Sequence, residues 1–239
     1  MRHVGNCKPY IVTSSNKDQG ARSDIAMAVD LLRETKSLAR VAEEHPLTFV
    51  RVSRGLRELH NILTPPRAMG SSVFCAFLHG PTGCGKTLGS VKFLNRTVGA
   101  GNYFVWSPKH SKGWWDGYAG EDWVLLDDYD AEAICVGEML RILQALPANV
   151  PVHGGVVAMN AHNFILSSNK SLDQLFPGPR VSDEQRSAIR RRITWEISRD
   201  EMAELMEEGS GQPRINKVCS MLEQVWEDHR PEAAVFDLT

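Results

Sequence analysis

Short apolar runs alternate with amphipathic stretches over the middle of the chain, and this alternation predicts an α/β fold. The strand-like runs are residues 73–78, 103–106, 123–126 and 164–167. Helical spacing of apolar positions occurs over residues 87–95, 136–146 and 182–189. Strands that alternate with helices are typical of a mostly parallel sheet covered on both faces.

Residues 150–157 interrupt that alternation. They place Gly154-Gly155 between two β-branched runs. Two glycines in this position are typical of a tight turn joining antiparallel strands. The pattern predicts a β-hairpin.

The pattern before residue 67 is purely helical. Ser23 is a favourable N-cap, and apolar residues then recur at helical spacing as far as Val41. A second helix fits between Pro46 and Leu63, and the following Pro65-Pro66 pair cannot continue it. We therefore predict four parts: a polar lead-in (1–22), a small helical module (23–66), an α/β core (67–199) and an acidic, partly helical C-terminal segment (200–239).

The amino-acid composition says little about the class of protein. The chain has 239 residues, 42% hydrophobic and 23% charged, with a net charge of −2, which is ordinary for a globular protein. Residues 1–70 have a balance of +4 and residues 200–239 a balance of −7. We interpret the acidic end as a solvated face, and any nucleic-acid contact must be local. No membrane span and no secretory leader are expected. The five cysteines have no C-x-x-C spacing, which favours a reducing, intracellular compartment over a disulfide framework.

A glycine-rich motif follows the first predicted strand and precedes a helix. It consists of Gly80, Pro81, Thr82, Gly83, Cys84, Gly85, Lys86 and Thr87. Glycines let backbone N–H groups approach phosphate oxygens, the lysine supplies positive charge, and the threonine hydroxyl is a ligand for Mg²⁺. The motif predicts a phosphate-binding P-loop with ATP and Mg²⁺ as its cofactors.

Polar residues follow three later elements. Asp127 and Asp128 end the apolar run 123–126, as in a Walker B element, and we assign Asp127 to the metal and Asp128 to the attacking water. Asn169 follows the next strand and is predicted to reach the γ-phosphate or that water. Arg191 and Arg192 are candidates for an arginine finger, a cation that stabilises charge on the transferring phosphoryl group.

These motifs occur together in the order and spacing of a known family. They are the P-loop, the aromatic block Trp114-Trp115-Asp116-Gly117-Tyr118, the 125–129 acidic segment, the hairpin, the 166–169 segment and the 191–194 segment. Together they resemble the replication initiator (Rep) proteins of circular single-stranded DNA viruses, of the circovirus type. The resemblance covers roughly residues 70–197, the superfamily 3 helicase half. It implies an AAA+-like P-loop NTPase, a homo-hexameric ring, unwinding of DNA during rolling-circle replication, and action in the host nucleus. The helical module then resembles the collar that supports oligomerisation.

Two departures from the family pattern qualify this expectation. The family's nicking endonuclease needs a histidine metal motif and a Tyr-x-x-Lys nucleophile, but only His3 and Tyr10 occur early in this chain. A separate nicking Rep protein is then a partner to consider. In addition, His153 stands where the family places a lysine before Gly-Gly, so His153 and Gly154 are predicted to form a weak, pH-sensitive contact with single-stranded DNA.

Three alternatives stay open at this point. RNA could be the strand bound, as in an RNA-virus-type P-loop helicase. A nucleotide kinase would use the same P-loop. An inactive, genome-integrated Rep fragment could serve only in oligomerisation, although the intact motif residues argue against decay.

Overall fold

The computed structural model describes residues 23–178, 181–207 and 211–229. The predicted lead-in, residues 1–22, and the last ten residues lie outside the described residues. The chain divides into two compact units, with the division between Leu63 and Thr64.

The first unit is helical. It contains α1 (Ser23–Thr35), α2 (Leu38–Glu44) and α3 (Pro46–Leu63). Its small core is formed by side chains that face inward from all three helices, namely Ala28, Leu32, Val41 and Leu56. Salt bridges such as that between Arg51 and Asp24, at 3.5 Å, are exposed and add little.

The helical pattern that continued past residue 35 in the sequence is broken in the structure. Lys36 has a φ of 49°, in the left-handed region, so α1 ends at Thr35. The Thr35 hydroxyl donates to the carbonyl of Leu31 at 2.7 Å. Ser37 then caps α2 by accepting the N–H of Arg40 at 3.2 Å. The apolar spacing of the sequence did not reveal this break, because Thr35 and Ser37 beside it are small and polar.

The second unit is built on a five-stranded sheet whose described pairings are all parallel, as predicted. The sheet contains β1 (Phe74–His79), β2 (Phe104–Trp106), β3 (Trp123–Leu126), β6 (Asn163–Ser168) and β7 (Trp195–Ile197). Their order across the sheet is β2-β3-β6-β1-β7. The strand β7 was not predicted. The remaining two strands, β4 (Asn149–Val152) and β5 (Gly155–Ala158), form the predicted antiparallel hairpin.

Helices cover both faces of the sheet. They are α4 (Lys86–Thr97), α5 (Pro108–Ser111), α6 (Val136–Ile142), α7 (Leu172–Leu175), α8 (Asp183–Arg190), α9 (Arg199–Glu207) and α10 (Gln212–His229). Side chains alternate across β1, so Phe77 packs with α6 and α8 on one face and Leu78 packs with α4 and α10 on the other. Because helices cover both faces of the sheet, side chains on both sides of the central strands are buried. This explains why these strands appear as continuous apolar runs in the sequence.

Helix α6 is shorter than its sequence pattern. It ends at Ile142 rather than at residue 146. The buried guanidinium of Arg67 donates to the carbonyls of Ile142, of Gln144 at 2.7 Å and of Leu146 at 3.2 Å. A side chain from the start of the core thus satisfies the carbonyls at the end of the helix.

The acidic C-terminal segment is not simply a solvated face. Its helix α10 packs along α4 and buries Val218, Cys219 and Leu222. Arg96 of α4 bonds Glu223 of α10 at 3.0 Å. Glu227 and Asp228, further along α10, are exposed, so this helix combines a buried apolar side with exposed acidic residues. None of the described helices combines the length and the apolar character needed to cross a bilayer.

Gly89 permits the close approach of α4 and α10. A side-chain carbon at Gly89 would lie 2.5 Å from Val218. We predict that Gly89→Ala lowers the free energy of unfolding, because overpacking costs about 1–3 kcal/mol while the gain in helix propensity is only ~1 kcal/mol. Urea unfolding followed by circular dichroism measures the change.

Gly137 on α6 is the matched control, because a carbon built there meets no atom within 4 Å. Gly137→Ala should be neutral or stabilising. Adding Val218→Ala to Gly89→Ala should recover part of the loss. An equal effect of the two alanine substitutions would contradict the close helix contact.

Candidate functional site

The glycine motif forms the loop between β1 and α4. Gly83 and Gly85 have φ values of 85° and 94°, which side chains rarely tolerate. Gly80 lies against α9, where a side-chain carbon would come within 2.6 Å of Met202. The loop geometry therefore requires glycine both for backbone conformation and for packing.

Lys86 joins this loop to the neighbouring strand. Its Nζ donates to the carbonyls of Gly80 and Pro81, both at 2.9 Å, and to Oδ1 of Asn169 at 3.1 Å. The Cys84 sulfur lies 3.5 Å away. Lys86 is only 6% exposed, and these four acceptors carry no formal charge. None of the four is a carboxylate, so Lys86 is placed to pair with an anion inside the loop.

Thr87 and Asp127 meet on the other side of Lys86. The Thr87 hydroxyl donates to Oδ1 of Asp127 at 2.7 Å. The hydroxyl of Ser167 donates to the same oxygen, also at 2.7 Å, and accepts the N–H of Asp128 at 3.1 Å. Ser167 was missed by the sequence analysis. The sequence signal that could have indicated Ser167 was a hydroxyl residue near the end of an otherwise apolar strand.

The two carboxylates beyond Asp127 differ in their surroundings. Asp128 is exposed and has a φ of 50°, an uncommon backbone conformation that often accompanies function. Asp130 is paired with Lys170 at 2.7 Å. That hydrogen bond from Lys170 holds the pKa of Asp130 below its usual range. Asp130 is therefore engaged with Lys170 outside the site.

The donors at this edge of the sheet fit a nucleoside triphosphate with Mg²⁺. A hydroxyl and a carboxylate are the hard oxygen ligands that Mg²⁺ uses when phosphates and waters complete its shell. In residues 23–178, 181–207 and 211–229, no three His, Cys, Asp or Glu side chains group into an all-protein metal site. Within these described residues, the predicted metal ligands Thr87 and Asp127 do meet beside the glycine loop.

Arg191 and Arg192 lie away from this edge. They precede β7, which runs parallel to β1, and Thr194 bonds both backbone groups of Cys75 near the start of β1. The P-loop follows the far end of β1, roughly 15 Å along the strand direction. The structure therefore does not bring these arginines to the P-loop of their own chain.

The tip of the hairpin, at His153, contacts the aromatic block of residues 114–118 rather than the P-loop. The backbone N–H of His153 donates to Oδ1 of Asp116 at 2.8 Å, and its Nδ1 contacts Oδ2 of the same carboxylate. The His153 ring stacks on Trp114, with centroids 4.5 Å apart. The hydrogen bonds from His153, chiefly that of its backbone, lower the pKa of Asp116. Gly154 completes the turn.

The parallel sheet, the glycine loop and the Thr87–Asp127 pair define the class of this protein as a P-loop NTPase with an α/β fold. The sequence profile of the RNA helicase family matches residues 76–170. The chain is 34% identical over 178 residues to the replication-associated protein of Porcine circovirus 2, covering 74% of this chain and 54% of that relative.

Two further relatives agree. The chain is 33% identical over 195 residues to the replication-associated protein of Porcine circovirus 1, covering 80% of this chain and 60% of the relative. It is 37% identical over 145 residues to that of Beak and feather disease virus, with 60% and 46% covered. These findings confirm the predicted resemblance to the replication-associated proteins of circoviruses. It spans about half to three fifths of the length of these relatives.

The shared oxygen of Asp127 makes Ser167 a positioning residue for the carboxylate. We predict that Ser167→Ala weakens the binding of magnesium–ATP by roughly 10- to 100-fold, the usual effect of losing such an outer partner. Titration of a fluorescent ATP analogue at fixed Mg²⁺ measures this.

Ser168→Ala is the neighbouring control. The Ser168 hydroxyl bonds only backbone groups, the carbonyl of Tyr129 at 2.9 Å and the N–H of Lys170 at 3.1 Å. Its loss should reduce stability without a specific change in nucleotide affinity. Equal nucleotide affinities in wild type and Ser167→Ala would exclude the positioning role.

Proposed function

We propose that this chain hydrolyses ATP with Mg²⁺ and uses the energy to unwind DNA during rolling-circle replication. The observation that carries the proposal is the convergence of Lys86, Thr87, Asp127 and Asn169 at one edge of a helicase-type sheet. No kinase-type acceptor site is needed to account for these groups.

Each residue has a distinct role in this proposal. The loop amides and Lys86 bind the phosphates, and Thr87 and Asp127 hold the metal, which offsets charge on the β- and γ-phosphates. Asp128 aligns the attacking water and accepts its proton. Asn169, already bonded to Lys86, contacts the γ-phosphate or that water.

The arginines act on a neighbouring subunit. Because Arg191 and Arg192 lie at the edge opposite their own P-loop, a finger role requires the next chain in a ring. The homo-hexamer implied by the family resemblance supplies such an interface. The helical unit, residues 23–63, assists assembly.

Of the three consecutive arginines, Arg191 is the best candidate for the finger. Arg190 is paired with Asp173 at 2.6 Å. Arg192 donates to the carbonyl of Ala188 at 2.8 Å, and its Nε is buried. Arg191 is exposed and can reach a partner subunit without breaking such contacts.

Single-stranded DNA is the proposed track, with the hairpin as its contact. The relatives are replication-associated proteins of circoviruses, which favours DNA, while RNA is the alternative named by the family profile. Comparing the stimulation of ATPase activity by the two polymers distinguishes them. Replication in the host nucleus with a separate nicking Rep protein completes the proposal.

Lys86→Ala tests the proposed activity directly. We expect ATP hydrolysis and unwinding to disappear while the fold persists, because the loop backbone stays but its charge is lost. A phosphate-release assay and a forked-duplex assay measure the two activities. Lys92→Ala removes a lysine from the same helix that donates to Asn216 of α10, and it should keep both activities. Turnover in Lys86→Ala equal to wild type would refute the proposal.

Arg191→Ala should lower turnover by on the order of 10³-fold or more, as for other fingers supplied in trans. Mixing it with Lys86→Ala should restore part of the activity, because a mixed ring contains interfaces in which both residues are intact. Arg190→Ala is the control and should keep turnover. Absence of any recovery in the mixture, and in the equivalent mixture with Arg192→Ala, would rule out a shared site.

A further inference from the structure

The aromatic block contains two tryptophans with opposite environments. Trp115 is fully buried in the core, whereas Trp114 is 39% exposed. One face of Trp114 stacks on His153 at the hairpin tip, with an interplanar angle of 29°. The protein therefore presents a large ring beside the turn that the proposed function assigns to DNA.

The backbone of Trp114 is held from several sides. The Trp114 carbonyl accepts the indole N–H of Trp106 at 3.0 Å, and the Trp114 backbone N–H donates to the carbonyl of Ser111 at 2.8 Å. The next residue, Trp115, donates its N–H to the carbonyl of Pro151 on the hairpin at 2.8 Å. The backbone that carries the ring is thus anchored, and the stack on His153 orients the ring itself. This order before binding lowers the entropic cost of binding.

The hairpin tip offers little positive charge to a phosphate. Residues 150–157 contain no lysine or arginine. His153 is the titratable group of the turn, and its Nδ1 already contacts the Asp116 carboxylate. Even a protonated His153 would be balanced by Asp116, so the ion pair contributes little to counterion release. This geometry argues against even the weak, pH-sensitive phosphate contact that the sequence predicts for His153.

Space for a planar ligand exists beside the tip. A side-chain carbon built at Gly154 or Gly155 would meet no atom within 4 Å. A strand of nucleic acid can therefore approach the turn closely. Aromatic faces bind unpaired bases by stacking, and this interaction tolerates any base because every base has a π-face.

We propose that Trp114 is a base-stacking residue, with His153 and Asp116 as the residues that position it at the hairpin tip. The ligand class is an unpaired nucleobase of single-stranded DNA. The inference rests on the proposed function for the presence of a DNA strand, but it assigns the contact to the bases rather than to the phosphates. The backbone of Trp114 is connected through Trp106 to the nucleotide edge, since the carbonyl of Trp106 accepts the N–H of Asp127 at 2.8 Å.

The test compares two single strands of equal length, oligo-dT and its abasic sugar–phosphate counterpart, binding to the full chain by fluorescence anisotropy. Wild type should bind oligo-dT more tightly. Trp114→Ala should weaken oligo-dT binding by on the order of 5- to 100-fold and leave abasic binding within about 2-fold. The slope of log affinity against log salt should not change, because no phosphate contact is lost.

Two further variants test whether the effect on binding belongs to the ring of Trp114. Trp114→Phe keeps a smaller ring, should fold as wild type, and should fall between wild type and Trp114→Ala. Val156→Ala trims another exposed apolar side chain of the same hairpin, 56% exposed, and should bind both strands as wild type does.

The outcomes separate this inference from the proposed function. If wild type bound neither strand, the proposed binding of DNA would itself be refuted. If wild type bound both strands equally, or if Trp114→Ala weakened both to the same extent, base stacking by Trp114 would be overturned while DNA binding stood. A loss in Val156→Ala as large as that in Trp114→Ala would also overturn it, because the effect would then belong to the hairpin as a whole.

Discussion

The pairing of β6 with both β1 and β3 is the constraint on which the nucleotide site depends. Parallel register aligns the ends of the three strands, with Leu126 opposite Leu166 and His79 opposite Ser168. The polar residues that follow or end these strands consequently meet at one edge. Lys86 can then reach Asn169, and Ser167 can reach Asp127. A different strand order would separate the lysine and the carboxylate from the groups that connect them.

Close packing by the C-terminal helices stabilises the same edge. Met202 of α9 lies against Gly80, and Val218 of α10 lies against Gly89. Arg214 of α10 also donates to the carbonyl of Gly83 at 3.2 Å. The glycines of the motif therefore serve two purposes, since they leave the backbone open to phosphate and leave room for helices from the end of the chain. A segment with a net charge of −7 thus contributes its buried side to the support of an anion site.

The direction of β7 separates the two halves of the proposed catalytic apparatus. Because β7 runs parallel to β1, the residues before it lie at the edge where β1 begins, and the P-loop lies where β1 ends. One chain therefore presents a phosphate site at one edge and Arg191 at the other. This arrangement suits a ring in which each site is completed by its neighbour.

The sequence by itself determined the elements that depend on local chemistry and apolar period: four of the five strands of the sheet, the hairpin, the P-loop with Lys86 and Thr87, and the acidic end at Asp127. Tertiary structure decided what depends on distant segments. The role of Ser167 follows from strand order, the shortened end of α6 follows from Arg67, and the burial of α10 follows from Gly89. The pairing of His153 with Asp116 likewise joins residues 37 positions apart. Local patterns record backbone preference and amphipathic period, whereas these contacts depend on which surfaces meet after the chain has folded.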